Sequence, residues 1–242
     1  MKIGIISDIH SNIDALERVF KEFKNQKIEK IICIGDIIGI GPYPEKTIQY
    51  LINNQEKLLA IVRGNHEKYL INGISKKNHA DSGPMSEEEI LTHKWNHSKL
   101  NSSQIKFIKS LKIRDCLEVE KKKIIVEHYP MNNNGKFKKF YKKPTIDEIE
   151  ELFEDENADI YLFGHTHQAY YNTKNNKYYI NPGSLGCPTN TGLAYAGIIN
   201  ITEKKIEYEQ LKLEYDVDKV IKEIKSINYP LNKSIIKIFY KK

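Results

Sequence analysis

Three times in succession the chain runs a short apolar stretch into a polar loop and then into a segment of helical periodicity. "KIGIISD" leads to "SNIDALERVFKEFK", where Ile13, Leu16, Val19, Phe20 and Phe23 share one face behind a Ser11/Asn12 cap. "EKIICIGD" passes through the Gly/Pro-rich "GIGPYP" into "EKTIQYLINN", and "KLLAIVRGNHE" supplies a third apolar run with a polar carboxyl end. Strand-loop-helix units in series predict a parallel sheet with right-handed crossovers. Parallel order has a functional corollary: the carboxyl end of every strand, with the loop that follows it, lies along one edge.

Beyond these units the pattern changes. Residues 67–112 turn polar and helical, with helices expected at 86–100 and 102–111, and read as a cap inserted over that edge. "IRDCLEVE" and "KKIIVEHYP" are strand-like, and Thr145 with Glu148 has the capping-box spacing of a helix through "PTIDEIEELFEDE". "ADIYLFGHTH" is another apolar run with a polar end. "AYYNTKNNKYYINPGS" reads as a hairpin around Asn175-Asn176, "LAYAGIINIT" and "KIEYEQLKL" as antiparallel strands, and 215–242 as a helix and tail. With no repeat or low-complexity linker, the expectation is a single α/β domain over 1–242, with a mixed sheet or two packed sheets.

At 242 residues and 40% hydrophobic, the chain can bury one substantial core. A formal charge of +6 from 38 basic and 32 acidic residues permits phosphate-bearing substrates without demanding a polyanion. Three Cys with no CxxC spacing argue against a disulfide framework or a thiolate zinc site and fit a reducing compartment. No apolar run reaches the ~18 residues of a membrane span, and no signal pattern opens the chain. The expectation is a soluble cytoplasmic protein without a membrane partner; a homo-oligomer is left open.

The polar groups at the ends of the apolar runs form a set: Asp8 and His10, Asp36, Asn65 and His66, His128, His165 and His167. A common sheet edge gathers them, and so many oxygen and imidazole donors are costly to leave unpaired in a semi-buried place. Divalent metals resolve that cost. Asp8 and His10, like His165 and His167, are two apart on a strand end, which in extended backbone points both side chains the same way. Carboxylate, amide and imidazole suit Mn, Fe, Zn or Ni, and Asp36, with two oxygens, could bridge. A metal pair about 3.5–4 Å apart suits in-line attack at phosphorus.

The ordered blocks "SDIH", "GDIIGIGPYP", "GNHE", "GHTH" and "NPGS" resemble the calcineurin-like metallophosphoesterase superfamily, in particular its small bacterial and archaeal phosphodiesterases, over residues 1–200. The resemblance implies an α/β fold, a four-layer α-β-β-α sandwich of two mixed sheets flanked by helices, with a small helical cap. It implies two divalent metals, Mn foremost and Fe, Zn, Ni or Mg as alternatives. Asp8, His10, Asp36 and His167 would hold one, and Asp36, Asn65, His128 and His165 the other. A hydroxide bridging them would be the nucleophile, and His66 the general acid that protonates the leaving alkoxide. The implied substrate is a phosphate ester, nucleotide-like esters included.

Two blocks depart from the family pattern: His128-Tyr129-Pro130 stands where His-Gly is common, and Cys187-Pro188-Thr189 where Gln-Pro-Arg follows "NPGS". Both leave the ligand set intact and bear on substrate choice. Two other functions compete, a non-catalytic scaffold of the same fold and a nuclease-type enzyme guided by "KFKKFYKK" (136–143), a stretch that also reads as a solvated loop. His79, His93 and His97 read as surface residues of the insert. Arg63 is a phosphate contact or a salt-bridge partner, and Cys187 is passive.

Overall fold

The computed structural model describes residues 1–74, 79–80, 83–141, 143–188, 192–227 and 229–240; Thr189 and part of the basic stretch lie outside them. The three units appear as β1 (Lys2–Ile6), α1 (Ile13–Asn25), β2 (Lys30–Cys33), α2 (Pro44–Asn53), β3 (Leu58–Ile61) and α3 (Asn65–Asn72). The insert holds a short ribbon, β4 (His79–Ala80) and β5 (Gly83–Pro84), then α4 (Glu87–Ser98) and α5 (Ser102–Ser110). There follow β6 (Arg114–Val119), β7 (Lys122–Glu127), α6 (Ile146–Leu152), β8 (Ile160–Leu162), β9 (Tyr170–Lys174), β10 (Lys177–Asn181), β11 (Leu193–Ile201), β12 (Ile206–Glu214), α7 (Val217–Ser226) and α8 (Asn232–Ile235).

The strands form two five-stranded sheets, ordered β12-β11-β1-β2-β3 and β6-β7-β8-β10-β9. Both are mixed: β1, β2 and β3 run parallel while β11 and β12 pair antiparallel, and β7, β8 and β10 run parallel between antiparallel β6 and β9.

Alternation along the strands dictates the layers. Ile3, Ile5, Ile32 and Ile199 face Ile124, Val126, Ile160, Leu162 and Ile180 in a core between the sheets. The opposite faces, with Ile6, Ile31, Cys33, Ala194 and Ala196, pack on α1, α2 and α5 through Leu16, Val19, Phe23, Ile48 and Ile108. On the far side, Ile125, Tyr161 and Tyr179 pack against Ile149, Leu152 and Phe153 of α6 and the residue after it. Each fully buried Ile or Leu contributes about 1.5–3 kcal/mol, so the inter-sheet core is a large part of what holds the layers together. The result is the four-layer α-β-β-α sandwich.

Local signals match local structure. Asn175 and Asn176 turn the β9–β10 hairpin with φ of 52° and 61°, the left-handed pair that a two-residue turn requires. Thr145 and Glu148 close the capping box of α6. The tail packs Val220, Ile224, Tyr229 and Ile236 together beside Ile40 and Trp95, joining the loop after β2 to the insert. Among the described residues, no helix is long and apolar enough to cross a membrane.

Candidate metal centre

The carboxyl ends of β1, β2, β3, β7 and β8 meet at one edge, and the loops there bring Asp8, His10, Asp36, His66, His128, His165 and His167 together, with Asn65 next to His66 in the chain. Ligand-capable atoms of Asp8, His10 and His167 lie within 4.8 Å of one another, as do those of Asp36, His128 and His165, and those of His10, Asp36 and His66. Asp8, His10, Asp36 and His128 are buried.

Extended backbone does not aim these side chains. β1 stops at Ile6 and β8 at Leu162. Asp8, His10, Asp36, His165 and His167 all carry positive φ, from 47° to 69°. The expectation that residues two apart share a side because the strand is extended is therefore corrected: left-handed turns bring the pairs together. A left-handed non-Gly residue costs roughly 1–2 kcal/mol, a strain that persists only where surrounding contacts fix it and that clusters at functional sites.

Those contacts are specific. The β1 and β2 loops are laced by Asp8 N donating to Gly35 O (3.1 Å), His10 N to Asp36 O (2.9 Å) and Ser11 N to Ile37 O (2.8 Å). Ser7 Oγ donates to Asp8 Oδ2 at 2.6 Å, and Ser184 Oγ to Asp8 O at 2.8 Å. A Cβ on Gly164 would stand 2.0 Å from Ser7 Oγ, which is why the "GHTH" turn opens with Gly: only a bare backbone passes this close to Asp8. Asn181 Nδ2 donates to Gly164 O at 2.8 Å and fixes the same turn.

Glu67, which the sequence reading passed over, is the central brace. It is fully buried, and its carboxylate accepts from the backbone N–H groups of Asp36, Ile37, Ile38 and Gly64 at 2.8–3.0 Å. The loop after β2 and the start of α3 are thereby bolted to one side chain. Burial, then the Asp36 charge, push this carboxyl up to about 7, with the amides pulling the other way.

Electrostatics at the cluster follow from burial and proximity. Burial alone raises the Asp36 carboxyl, but His128, His66 and His10 around it more than offset that and hold it well below the ordinary range. Burial alone lowers His128, but Asp36, with its Oδ2 3.1 Å away, and Asp8 push it up to about 10. His128 Nδ1 lies 2.7 Å from Ile34 O, which assigns its proton there and turns Nε2 toward the carboxylates. Burial pulls His10 well below its ordinary value.

The donor set fits divalent cations. The Nε2 atoms of His10 and His167 face each other at 2.9 Å, His167 Nε2 lies 3.5 Å from Asp8 Oδ1, and the buried amide oxygen of Asn65 has no hydrogen-bond partner. Converging lone pairs with an orphaned amide oxygen are what a cation satisfies.

One sequence expectation changes. His93 is not a surface residue: it is 7% exposed, and its ring centroid is 4.8 Å from that of His66 and 5.1 Å from that of Tyr69. His97 is half-buried, 6.1 Å from His93, and the His79 side chain lies outside the described residues. In the basic stretch, Phe137 and Phe140 turn toward His165, with centroids 4.6 and 6.0 Å away, on a loop whose Lys136, Lys139 and Phe140 remain exposed as expected. Arg63 has its Nε buried without a partner and borders a small cleft with Gly64, Lys68 and His128. Cys187 is buried, and burial followed by the Asp8 and Asp36 charges pushes its thiol well up, as suits a passive residue.

A family model described as a calcineurin-like phosphoesterase superfamily domain matches residues 1–204. The chain is 29% identical over 237 residues to an uncharacterized protein of Methanocaldococcus jannaschii, covering 92% of this chain and 91% of that one. It is 24% identical over 217 residues to a phosphodiesterase of the same organism, covering 88% of this chain and 100% of that one. A solved structure of a hypothetical protein from Pyrococcus horikoshii matches with a TM-score of 0.83 at 19% identity, over 99% of this chain and 97% of that one.

Proposed function

The chain belongs to the calcineurin-like phosphoesterase superfamily, and from that membership we propose that it is a binuclear metal-dependent phosphodiesterase cleaving its substrate by in-line attack of water. The observation that carries this reading is the overlap of the donor groups: Asp36 sits with His128 and His165 on one side and with His10 on the other. The phosphodiesterase among its relatives supports the substrate class. We take Asp8, His10, Asp36 and His167 to hold one cation and Asp36, Asn65, His128 and His165 the other, with Mn first and Fe, Zn, Ni or Mg as alternatives. Bound there, the cations supply Lewis acidity toward the phosphoryl oxygens and make water acidic enough to attack.

The chain's own groups do the rest. His66 N donates to Asp36 Oδ1 at 3.0 Å and His66 Nε2 lies 3.8 Å from Asp36 Oδ2, so the imidazole adjoins the donors, which supports the reading that it gives its proton to the leaving oxygen. Its Nδ1 is packed against Gly39, where a Cβ would come within 2.0 Å. Burial lowers His66 well below its ordinary value while Asp36 works against that, and an anionic ester beside the ring adds to the Asp36 effect. His93 braces the same ring. The three free cysteines fit the cytoplasmic, reducing setting we propose with this function.

The test is elemental analysis of the purified protein with Mn-stimulated hydrolysis of bis-p-nitrophenyl phosphate. About two metals per chain and turnover abolished by EDTA are expected; a folded protein with neither metal nor turnover would hand the lead to the scaffold reading. His66→Ala is expected to slow alkyl esters by about 10²-fold or more and nitrophenyl esters far less, because only a poor leaving group needs the proton. His93→Ala should repeat that leaving-group pattern at about tenfold, since a loosened His66 is a misplaced acid. Equal loss on both esters, with metal content reduced, would mean that His93 serves only the architecture.

A further inference from the structure

Beside the donor cluster, on the side of α6, lies a cavity of about 200 Å³ that no step above uses. Tyr129, Tyr141 and Tyr170 wall it, and Thr166, Gln168 and Lys143 give it polar edges. Aromatic faces with a few convergent polar groups are what a planar heteroaromatic ring requires, and stacking on such faces holds any of the bases. The volume is room for a ring system rather than for a whole large ligand, which leaves the remainder of the molecule outside the cavity.

The chain ties this cavity to the donors. Thr166 lies between His165 and His167, and Tyr129 follows His128 with its ring centroid 5.2 Å from that of His165. Tyr129 is itself fixed, its hydroxyl donating to Lys139 O at 2.9 Å, so the wall shared by cavity and donors is rigid. The Tyr170 hydroxyl is buried with no hydrogen bond of good geometry, Asn172 being the polar side chain beside it.

We propose that this cavity is a base-binding subsite, so that the substrate is a nucleoside phosphodiester whose phosphate lies on the Asp and His donors and whose base stacks between the half-buried rings of Tyr141 and Tyr170, with the buried Tyr129 closing the inner wall. The proposal rests on the phosphodiesterase reading. It also gives Tyr129, the departure from the His-Gly pattern, a role in substrate choice, because a glycine there would remove one wall.

The experiment compares two esters with the same leaving group, p-nitrophenyl thymidine 5′-phosphate and methyl p-nitrophenyl phosphate, in the Mn-loaded protein. In each, water adds to phosphorus, the bond to p-nitrophenolate breaks, and the water proton passes to solvent, leaving the nucleoside or methyl monophosphate. Wild type is expected to favour the nucleoside ester by about tenfold or more in kcat/KM, expressed mainly in KM. Tyr141→Ala is expected to collapse that ratio, and Gln168→Ala, at a half-buried position, to reduce it if the first variant folds poorly. Equal kcat/KM for the two esters in wild type, or a ratio untouched by both variants, would overturn the subsite.

If the methyl ester is not hydrolysed either, the phosphodiesterase reading is what has failed. The subsite is then decided by equilibrium binding of thymidine 5′-monophosphate against inorganic phosphate. Tighter binding of the nucleotide, lost in Tyr141→Ala, upholds it, and equal binding overturns it.

Discussion

Replacing Asp36 with Asn is expected to lower kcat/KM on bis-p-nitrophenyl phosphate by about 10³-fold or more, while the protein stays folded and loses bound metal. Asn is nearly isosteric, and Oδ1 can still accept from His66 N, so the turn survives. The other oxygen becomes an amide N–H₂, a donor with no lone pair for a cation, aimed at His128 Nε2, which lies 3.1 Å from Asp36 Oδ2 in the native chain. Because Asp36 shares one donor group with His128 and His165 and another with His10 and His66, one substitution weakens both. Kinetics with elemental analysis and circular dichroism on the same sample are the check. More than a tenth of the native rate at native metal content would show that Asp36 is not shared.

Glu67→Ala acts on the frame rather than the donors, and its expected loss is about 4 kcal/mol of stability, among the largest for a single site. Four backbone N–H groups lose their acceptor in a place water does not reach. Hydrogen bonds to a charged group contribute about 1.5–3 kcal/mol each, and stranded donors add a desolvation cost; the effects overlap, so the sum is not reached. Urea unfolding with and without Mn measures it. A fall of less than about 1 kcal/mol would mean the loops keep their shape without this side chain. Glu67→Gln is expected to lie between the two, because its amide N–H₂ faces N–H groups where the carboxylate oxygen accepted them.

What was legible in the sequence was local. The strand-loop-helix units, the Asn175-Asn176 hairpin and the Thr145–Glu148 cap each rest on a few neighbouring residues whose chemistry permits one backbone shape. That Asp8, His10, Asp36, His66, His128, His165 and His167 would gather was legible because each stands at the end of an apolar run and the blocks occur in family order. The backbone that aims them was not, since nothing in "SDIH" or "GHTH" separates an extended end from a left-handed turn.

Glu67 was missed because an acid in the first turn of a helix ordinarily faces water and complements the helix dipole. His93 was missed for a different reason: α4 buries Thr92, His93 and Asn96 with a single apolar residue, Ile90, while Leu91 is 56% exposed. A helix whose inward face is polar because it meets a polar site gives no hydrophobic stripe to read. The pairing of β1 with β11 joins residues nearly two hundred positions apart, for which a single sequence offers no local sign.

That pairing also sets a timetable. β1 leaves the ribosome well before β11, yet in the finished sheet it is flanked by β2 on one side and by β11 on the other, Lys2 lying opposite Asn200. At about 5–20 residues per second, one edge of this largely buried strand waits on the order of ten to forty seconds for its partner. During that interval the chain can close the β1, β2 and β3 loops around Asp8, Asp36 and Asn65, but it carries an open, isoleucine-rich edge of the kind that recruits foreign strands. Synthesis arrested just before residue 193 is therefore expected to leave a nascent protein prone to aggregate despite a complete set of donors, because the strand order keeps that edge open until β11 arrives.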